Sequence, residues 1–460
     1  MIAPAASASP EALLAGWVAG LDWADLPASV QDRVGDLLLD GLASGFAGRS
    51  VDLLERVVRV ADAFGGPGAA PVIGGGLSSP AGACLQNAYA ITAATICDVY
   101  RPGLCHVSPV VIPPLLSLVG RPGITAEDLL AALAAGFEVT VRLSRELGDE
   151  HFRGGGWHAP GVVGAVGAAA AAARLLRLDA GATSNAIAHG AAQAAGTFAG
   201  LGTEAVKFNQ ARGALSGLLA GLIAAEGNAA SSEWLTQPGS GMSAVQGDGI
   251  ERGELTAGLG STWLLHEISL RRWPAASSVQ SLVECVLELV ESKNIELAEI
   301  EQLTIGLSPG AYLVSGHHEW GDSLSAQQSA AWVAAATLAD RTWWLEQSSP
   351  TRTSDAGLGD FARERVEVHA DPALRSAAVE VAARLRNGTT VGLARTDAPG
   401  DPTRPLERRE IEAKLRRTAG PHLAGDAIED LLRLHESPGN GAFSAELTRL
   451  VSGNQRPLES

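Results

Sequence analysis

The 460-residue sequence predicts a mostly helical protein with a smaller α+β portion. Three observations support this prediction. Alanine and glycine dominate the first part of the chain, where apolar side chains recur at helical spacing. Alternating apolar and polar residues, typical of strands, follow between residues 263 and 402, and helical patterns then return. We therefore expect a large helical domain formed by residues 1–262 and 403–460, with an α+β lid of residues 263–402 inserted in it.

Capping residues mark the helix starts of the first part. Pro10 follows a serine and opens the first helix. Thr125 begins a capping signature ahead of a long apolar run, and Asp179 stands between two further helices. The stretches 164–173 and 186–199 consist almost entirely of small apolar residues. Helices that are apolar all round are buried, so we expect close helix packing here.

The α+β portion combines amphipathic helices with alternating segments. Amphipathic spacing predicts helices over residues 277–292 and 325–338. Two alternating runs flank the Asn-Gly pair at 387–388, which is typical of a tight hairpin turn. Alternation also predicts strands at residues 267–270, 302–307 and 366–369.

Charge and cysteine content exclude several classes of protein. Lysine and arginine number 34 against 51 aspartates and glutamates, a net charge of −17, which opposes binding to nucleic acid or an anionic membrane. Four cysteines without a C-x-x-C pair are too few for a disulfide scaffold. The N-terminus lacks the basic segment of a signal peptide, and no apolar window is long enough to span a bilayer. We therefore expect a cytoplasmic protein.

Three clusters of polar side chains interrupt the apolar helical part. Asp98 and His106 lie in a loop between two apolar helices, where catalytic groups are often presented. His158 follows a run of three glycines and precedes a helix whose first N–H groups could receive an anion. Lys207 and Arg212 stand in a region of alanine, glycine and leucine. A lysine in such surroundings can neutralise a carboxylate or lose its proton more readily.

Each cluster also has a purely structural explanation. Asp98 could cap a helix while His106 satisfies a carbonyl group in the core. His158 could be a capping histidine, and Lys207 could extend from the core to the surface. The segment His317-His318-Glu319 has metal-binding residue types, but adjacent side chains point in different directions. We therefore predict no metal site.

The order of these clusters resembles that of the MmgE/PrpD family, which includes 2-methylcitrate dehydratase, cis-aconitate decarboxylase and iminodisuccinate epimerase. The resemblance covers nearly the whole chain. It implies an MmgE/PrpD-like fold with a helical domain and an α/β lid, and a cofactor-free homodimer with its site between these domains. The residues that carry it are Leu14–Val18, Asp40–Ser44, His106–Pro113, Gly136–Val139, Trp157–Gly161 and Lys207.

The resemblance implies that Asp98, His106, His158 and Lys207 line a pocket for a small-molecule carboxylate. Removing a proton beside a carboxylate, or protonating the carbanion left by decarboxylation, requires a base, an acid and a cation near the developing charge. We assign His158 and Lys207 as the acid/base pair and His106 as a second acid/base or anion-binding group. Asp98 would orient a histidine or contact the substrate, and Arg212 would clamp a carboxylate.

The sequence departs from the family pattern at several positions. Only Asp98 remains of an acidic D-x-D-D cluster, and residues 208–210 replace a histidine-bearing segment after the lysine. In the lid, Ser277 and Gln280 stand at arginine and histidine positions, and Trp332 stands at a tyrosine position. We expect these three lid residues to contact the substrate. Because neutral side chains cannot pair with a carboxylate as arginine does, we expect either fewer substrate carboxylates than in citrate-like acids or a different reaction.

The sequence thus predicts a cofactor-independent enzyme that moves a proton beside a carboxylate or carbonyl group of a small organic acid. It would be a dehydratase, a decarboxylase or an epimerase. Two alternatives stay open. The lid substitutions also fit a non-catalytic binding or scaffold protein, and a repurposed cyclase or isomerase of secondary metabolism would keep the histidines but prefer an apolar substrate. Deuterium uptake from D₂O into candidate acids would distinguish an enzyme from a binder.

Overall fold

A computed structural model describes residues 8–148, 152, 154–247, 252–433 and 443–453. The chain forms two compact units. Unit 1 contains Met1–Ala93, Cys97–Ile268 and Arg408–Ser460, and unit 2 contains Ala94–Ile96 and Ser269–Glu407. The domain boundaries expected from the sequence, after residues 262 and 402, stay a prediction.

Unit 1 begins as a succession of helices with one short β-hairpin. The predicted caps are confirmed, because Ser9, Thr125 and Asp179 each accept a hydrogen bond from a backbone N–H of the helix that follows. The elements in chain order are α1 (Pro10–Gly20), α2 (Ala28–Arg49), α3 (Leu53–Gly65), β1 (Ala70–Val72), β2 (Gly76–Ser78), α4 (Pro80–Ala93), α5 (Ser108–Leu118), α6 (Ala126–Leu147), α7 (Ala159–Leu175), α8 (Ala180–Ala192), α9 (Ala205–Ala225) and α10 (Met242–Gln246).

Unit 2 is a four-stranded sheet with helices packed on it. Its elements are α11 (Gln280–Glu291), β3 (Ile300–Leu307), α12 (Pro309–Ser315), α13 (Ser323–Gln328), α14 (Ala330–Asp340), α15 (Pro350–Thr353), α16 (Ala356–Arg365), β4 (Val366–Ala370), β5 (Val379–Leu385) and β6 (Thr390–Arg395). The strand order is β4-β3-β5-β6. Strands β3 and β4 are parallel, and the other pairs are antiparallel. Burial alternates along β5, so one face of the sheet is covered and the other is exposed.

The chain then returns to unit 1 with α17 (Arg408–Ala419), α18 (Gly425–Arg433) and α19 (Phe443–Ser452). Helix α17 packs against α2, where the Nζ atom of Lys414 donates to Oδ1 of Asp40 at 2.6 Å between two buried side chains. The predicted fold class, mostly helical with a smaller α+β portion, is confirmed. No helix in the described ranges has both the length and the hydrophobicity needed to cross a bilayer.

Some local predictions are confirmed and others are wrong. The predicted hairpin is present, because β5 and β6 pair antiparallel across the turn at 387–388. The predicted helix over 325–338 is divided into α13 and α14, because the hydroxyl of Ser329 caps the second helix. The strand predicted at 267–270 is wrong, since Leu264–Glu267 forms a 3-10 turn.

A buried ion pair on α6 holds the backbone at the start of the 3-10 turn Leu264–Glu267. Nε of Arg142 donates to Oε1 of Glu138 at 2.7 Å, and both side chains are almost fully buried. The Glu138 carboxylate also accepts from the N–H groups of Leu264 and Leu265, at 3.0 and 2.9 Å. Burial raises the pKa of Glu138, and these N–H groups and Arg142 oppose that rise. A carboxylate distant in sequence therefore holds the start of the 3-10 turn, and beyond the turn the N–H of Leu270 donates to the carbonyl oxygen of Gly400.

The helices of unit 1 approach one another closely at glycines. A Cβ atom on Gly48 of α2 would overlap the carbonyl oxygen of Ala90 in α4. A Cβ atom on Gly217 of α9 would overlap the side chain of Ala168 in α7. Only a residue without a side chain fits where two helix backbones meet in this way.

Replacing Gly48 with alanine is expected to destabilise the fold. The added methyl group must displace backbone in a packed core, which costs about 1–3 kcal/mol of unfolding free energy. Gly16→Ala in α1 is the matched control, because nothing lies within 4 Å of its Cβ position. That control should be neutral or more stable than the wild type, because alanine favours helix. Urea unfolding measures both, and a Gly48→Ala variant as stable as Gly16→Ala would contradict the close contact.

Candidate functional site

Asp98 binds the start of α5 through its carboxylate. Its Oδ1 atom accepts from the N–H groups of Val107 and Ser108 at 3.1 Å, and Oδ2 accepts from that of Ser108 at 3.0 Å. N–H groups at a helix start have no partner within the helix, so the carboxylate satisfies them. Burial raises the pKa of Asp98, Cys97 adds to the rise, and the N–H of Ser108 opposes it. These contacts give Asp98 a helix-capping role.

The backbone of Asp98 also orients His106. Nδ1 of His106 lies 2.6 Å from the carbonyl oxygen of Asp98. Because a carbonyl oxygen can only accept a hydrogen bond, Nδ1 carries the proton. The lone pair of the neutral ring is then on Nε2, as a base requires. Asp98 therefore holds the helix with its side chain and the histidine with its main chain.

His158 occupies the N-cap position of α7 and is buried, with 4% of its surface exposed. Burial, with a smaller contribution from His106, lowers the pKa of His158 to about 3. The ring is therefore neutral at physiological pH. A Cβ atom on Gly164, in the second turn of α7, would overlap the side chain of Val110, in the first turn of α5. His158 and His106, which precede these two helices, therefore lie at neighbouring helix starts. Nδ1 of His158 has no hydrogen-bond partner within the described part of the chain.

Lys207 lies in the first turn of α9 and is 5% exposed. Its Nζ atom donates to the carbonyl oxygen of Thr92 at 2.6 Å. Thr92 belongs to the last turn of α4, where helix carbonyl groups carry partial negative charge. The end of α4 is therefore a favourable place for an ammonium group.

Helices α7 and α9 lie side by side and run in the same direction. Successive glycines of α9 meet successive residues of α7: Gly213 meets Pro160, Gly217 meets Ala168 and Gly221 meets Ala172. Parallel packing brings the N-terminal ends of the two helices to the same end of unit 1. Lys207 in the first turn of one helix therefore lies near His158 at the start of the other.

A short segment before α9 connects these two helix starts. The N–H of His158 donates to the carbonyl oxygen of Gly196 at 3.1 Å. Nδ2 of Asn209 donates to the carbonyl oxygen of Thr197, the next residue, at 3.2 Å. The ring of Phe198 packs 6.0 Å from that of His158, measured between centroids. The fold thus brings three predicted residues, His106, His158 and Lys207, to one end of unit 1.

Arg212 is not brought to this end of the site. Its guanidinium group donates to the hydroxyl of Ser216, one turn further along α9. The helical period places Arg212 with the exposed Phe208 and Leu219, on the opposite side of α9 from Lys207. Its role as a carboxylate clamp stays a prediction that this position does not favour.

The three predicted lid residues belong to unit 2. Gln280 is fully buried, and its amide binds the backbone of Trp273 and Ala275 at 3.0 to 3.2 Å. Trp332 is also fully buried, and its indole N–H donates to the carbonyl oxygen of Gln347 at 2.9 Å. Ser277 is half-buried at the start of a 3-10 turn. Gln280 and Trp332 therefore support the fold of unit 2, and substrate contact by these residues stays a prediction.

Gln210 is a site candidate that the sequence analysis did not select. It is 2% exposed and follows Lys207 by three residues in α9, so both side chains lie on the same face of the helix. Its Oε1 atom has no hydrogen-bond partner among the residues described. The helical period was the available signal, because a polar residue three positions from a buried lysine faces the same way.

Other potential sites contain none of the predicted residues. In the described ranges, no group of three or more histidine, cysteine, aspartate or glutamate side chains could hold a metal ion. Two open cavities of about 320 and 340 Å³ lie on unit 2, with Glu380 and Ala394 lining both. Neither cavity contains a buried titratable side chain, so neither resembles an acid/base site.

A buried imidazole, a half-buried imidazole and a buried lysine at one end of a helical unit are groups that can move protons on a small molecule. Comparison with known proteins is more specific. The MmgE/PrpD N-terminal domain matches residues 12–252, and the MmgE/PrpD C-terminal domain matches residues 273–436. The chain belongs to the MmgE/PrpD family.

Several relatives match over most of their length. Cis-aconitate decarboxylase from Aspergillus terreus is 26% identical over 433 residues, covering 88% of each chain. A cis-aconitate decarboxylase-like protein from Aspergillus oryzae is 26% identical over 467 residues, covering 96% of each chain. Cis-aconitate decarboxylase from Mus musculus is 25% identical over 460 residues, covering 95% of this chain and 92% of the relative. The sequence predicted an enzyme that is a lyase or an isomerase; these matches confirm the predicted family and an enzyme, and they support a lyase.

Replacing His158 with glutamine is expected to reduce the loss of stability in acid. Because burial lowers the pKa of His158 from 6.5 to about 3, the folded state binds fewer protons than the unfolded state between these values. Stability from the neutral ring is fully present above the unfolded pKa and is lost as the pH falls toward 3. Between pH 7 and pH 5 the wild type should lose about 2 kcal/mol that the variant does not lose.

Urea unfolding at both pH values measures this difference. His369→Gln is the control, since His369 is exposed on the sheet of unit 2, and it should lose stability as the wild type does. Equal losses in the wild type and His158→Gln would show that His158 is not held neutral by the fold.

Proposed function

We propose that the protein is a cofactor-independent lyase that transfers a proton beside a carboxylate or carbonyl group of a small organic acid. The observation that carries the proposal is the meeting of His106, His158 and Lys207 at one end of unit 1. The cis-aconitate decarboxylases among the relatives support decarboxylation or dehydration of such an acid.

The proposed roles follow from the charges of these groups. Lys207 binds a substrate carboxylate and stabilises negative charge that develops beside it. His158 is neutral in the resting enzyme, so it does not repel the cation. The arriving anion raises the pKa of His158, because a nearby negative charge favours the protonated ring. The substrate therefore makes His158 a stronger base at the moment when a base is needed.

His106 completes the proton transfer in this proposal. Its Nδ1–H is held by the carbonyl group of Asp98, so Nε2 is the atom that accepts or returns a proton. In decarboxylation, the carbon–carbon bond breaks, CO₂ leaves, and the electron pair remains on the adjacent carbon. His158, which takes up a proton from water when the anionic substrate raises its pKa, then delivers that proton to the carbon. In dehydration, one imidazole removes the proton beside the carboxylate and the other protonates the leaving hydroxyl.

We further propose that two copies associate through the outer face of α9, forming a homodimer in the cytoplasm. Phe208, Leu219 and Ile223 are 51%, 52% and 45% exposed. The helical period places them on one side of α9, together with Arg212 and away from the face that holds Lys207. Exposed apolar patches of this kind mark protein–protein contacts, and the net charge of −17 opposes nucleic acid and anionic membranes as partners.

Replacing Lys207 with alanine, or His158 with glutamine, is expected to reduce turnover by about 100-fold or more, because each variant lacks a group that moves or neutralises charge. Turnover of cis-aconitate and of related acids, with deuterium uptake from D₂O at the carbon beside the carboxylate, measures this loss. Lys293→Ala, at an exposed lysine of unit 2, should retain wild-type turnover. Near-normal turnover in both the Lys207 and the His158 variant would contradict the roles proposed for these residues. A wild-type protein that incorporates no deuterium from D₂O into any acid would favour a binding protein over an enzyme.

Replacing both Leu219 and Ile223 with aspartate is expected to yield monomers, because two carboxylates would be buried in an apolar contact. Size-exclusion chromatography with light scattering measures the mass. Leu313→Asp is the control, since Leu313 is 76% exposed in unit 2 and should leave the dimer intact. A dimer that survives the double substitution would place the contact elsewhere.

A further inference from the structure

Gln210 buries a polar group that the fold does not use. It is 2% exposed, and its Oε1 atom accepts no hydrogen bond from any described residue. Burial of an unpaired amide costs free energy, and few buried polar atoms in folded proteins are left in this state. An apolar side chain of the same size would pack here without that cost, so the amide requires an explanation beyond stability.

The neighbours of Gln210 on α9 show what its side chain faces. Lys207, three residues earlier, donates to a carbonyl oxygen at the C-terminal end of α4. Gly213, three residues later, lies against a carbonyl oxygen at the start of α7. The helical period places Gln210 between these two contacts. Its side chain therefore faces the gap between the end of α4 and the start of α7, where His158 lies.

His158 supplies an independent observation at the same gap. Its Nδ1 atom is buried and, like Oε1 of Gln210, has no hydrogen-bond partner in the described ranges. The two atoms belong to different helices, α7 and α9, which meet through glycine. Two unpaired polar atoms beside a buried lysine are the arrangement expected where a polar ligand supplies the missing hydrogen bonds.

The chemistry of these groups limits the ligand. An amide oxygen can only accept a hydrogen bond, so the ligand group that meets Oε1 of Gln210 must be a hydrogen-bond donor. A carboxylate at neutral pH has no N–H or O–H to donate, whereas an amide or a hydroxyl group has one. Lys207, on the same helix face, suits a carboxylate. We propose that Gln210 is a substrate-recognition residue that selects a neutral amide or hydroxyl group on a small acid whose carboxylate binds Lys207.

This inference rests on the proposed function, and a matched pair of probes tests the two separately. Maleamate and maleate share one carbon skeleton and differ at one end, where an amide replaces a carboxylate. Calorimetric titration at mildly alkaline pH measures their affinities. The wild type should bind maleamate about 3- to 10-fold more tightly, the value of one hydrogen bond. Gln210→Met keeps the size of the side chain without its polar end, and should bind both probes equally.

A second variant tests the direction of the effect. Gln210→Glu accepts a hydrogen bond as the amide oxygen does but repels another carboxylate, so it should widen the preference for maleamate. Gln193→Met is the control at an exposed glutamine just after α8, and it should keep the wild-type ratio. Thermal unfolding of each variant shows that it folds.

The outcomes separate the two claims. An unchanged ratio in Gln210→Met, with loss of both probes in Lys207→Ala, overturns this inference and leaves the proposed function intact. A wild-type preference for maleate also overturns it, because the amide would then present its NH₂ group to a carboxylate. If the wild type binds neither probe, the proposed function fails and the inference fails with it.

Discussion

Glycine contact between α7 and α9 is the constraint on which the candidate site depends. Where α9 meets α7, Gly213 lies against backbone and Gly217 against the methyl group of Ala168, and α9 itself places no side chain at either contact. Parallel packing at this distance brings Lys207 of one helix beside His158 of the other. A larger residue at either glycine would move the helices apart by the width of a side chain, and the lysine would move away from the imidazole.

Burial then determines the chemistry of each group. The same dense packing that brings the helices together removes water from His158, so its ring stays neutral. Lys207 remains paired because the carbonyl end of α4 lies within hydrogen-bond distance. Asp98 is satisfied by the N–H groups at the start of α5. A site with a lysine and a neutral imidazole therefore arises from ordinary helix packing and capping.

Features that depend on local sequence could be predicted, and those that depend on distant partners could not. The helix caps and the β5–β6 hairpin follow from neighbouring residues, and the predictions for them are confirmed. The strand predicted at 267–270 failed because the chain enters it from a 3-10 turn, Leu264–Glu267, whose first N–H groups bind the carboxylate of Glu138, far away in sequence. No local pattern contains that information.

The candidate site also combines residues that the sequence could indicate with residues whose role only the structure shows. His106, His158 and Lys207 could be selected because polar residues are rare in their apolar surroundings. Arg212 stood out for the same reason, but the helical period places it on the other side of α9. Gln210 was overlooked although the same period places it beside Lys207. For Gln280, only the structure shows that its amide is already used by the backbone of unit 2.

The glycine contacts on α9 also restrict how this enzyme could diversify. Gly213, Gly217 and Gly221 cannot accept side chains without separating the helices, so these positions are closed to evolutionary change. Gln210 and Ala214 lie on the same buried face without that restriction. Descendants of this protein could acquire new preferences by exchanging such residues, while the glycines that hold the scaffold stay the same.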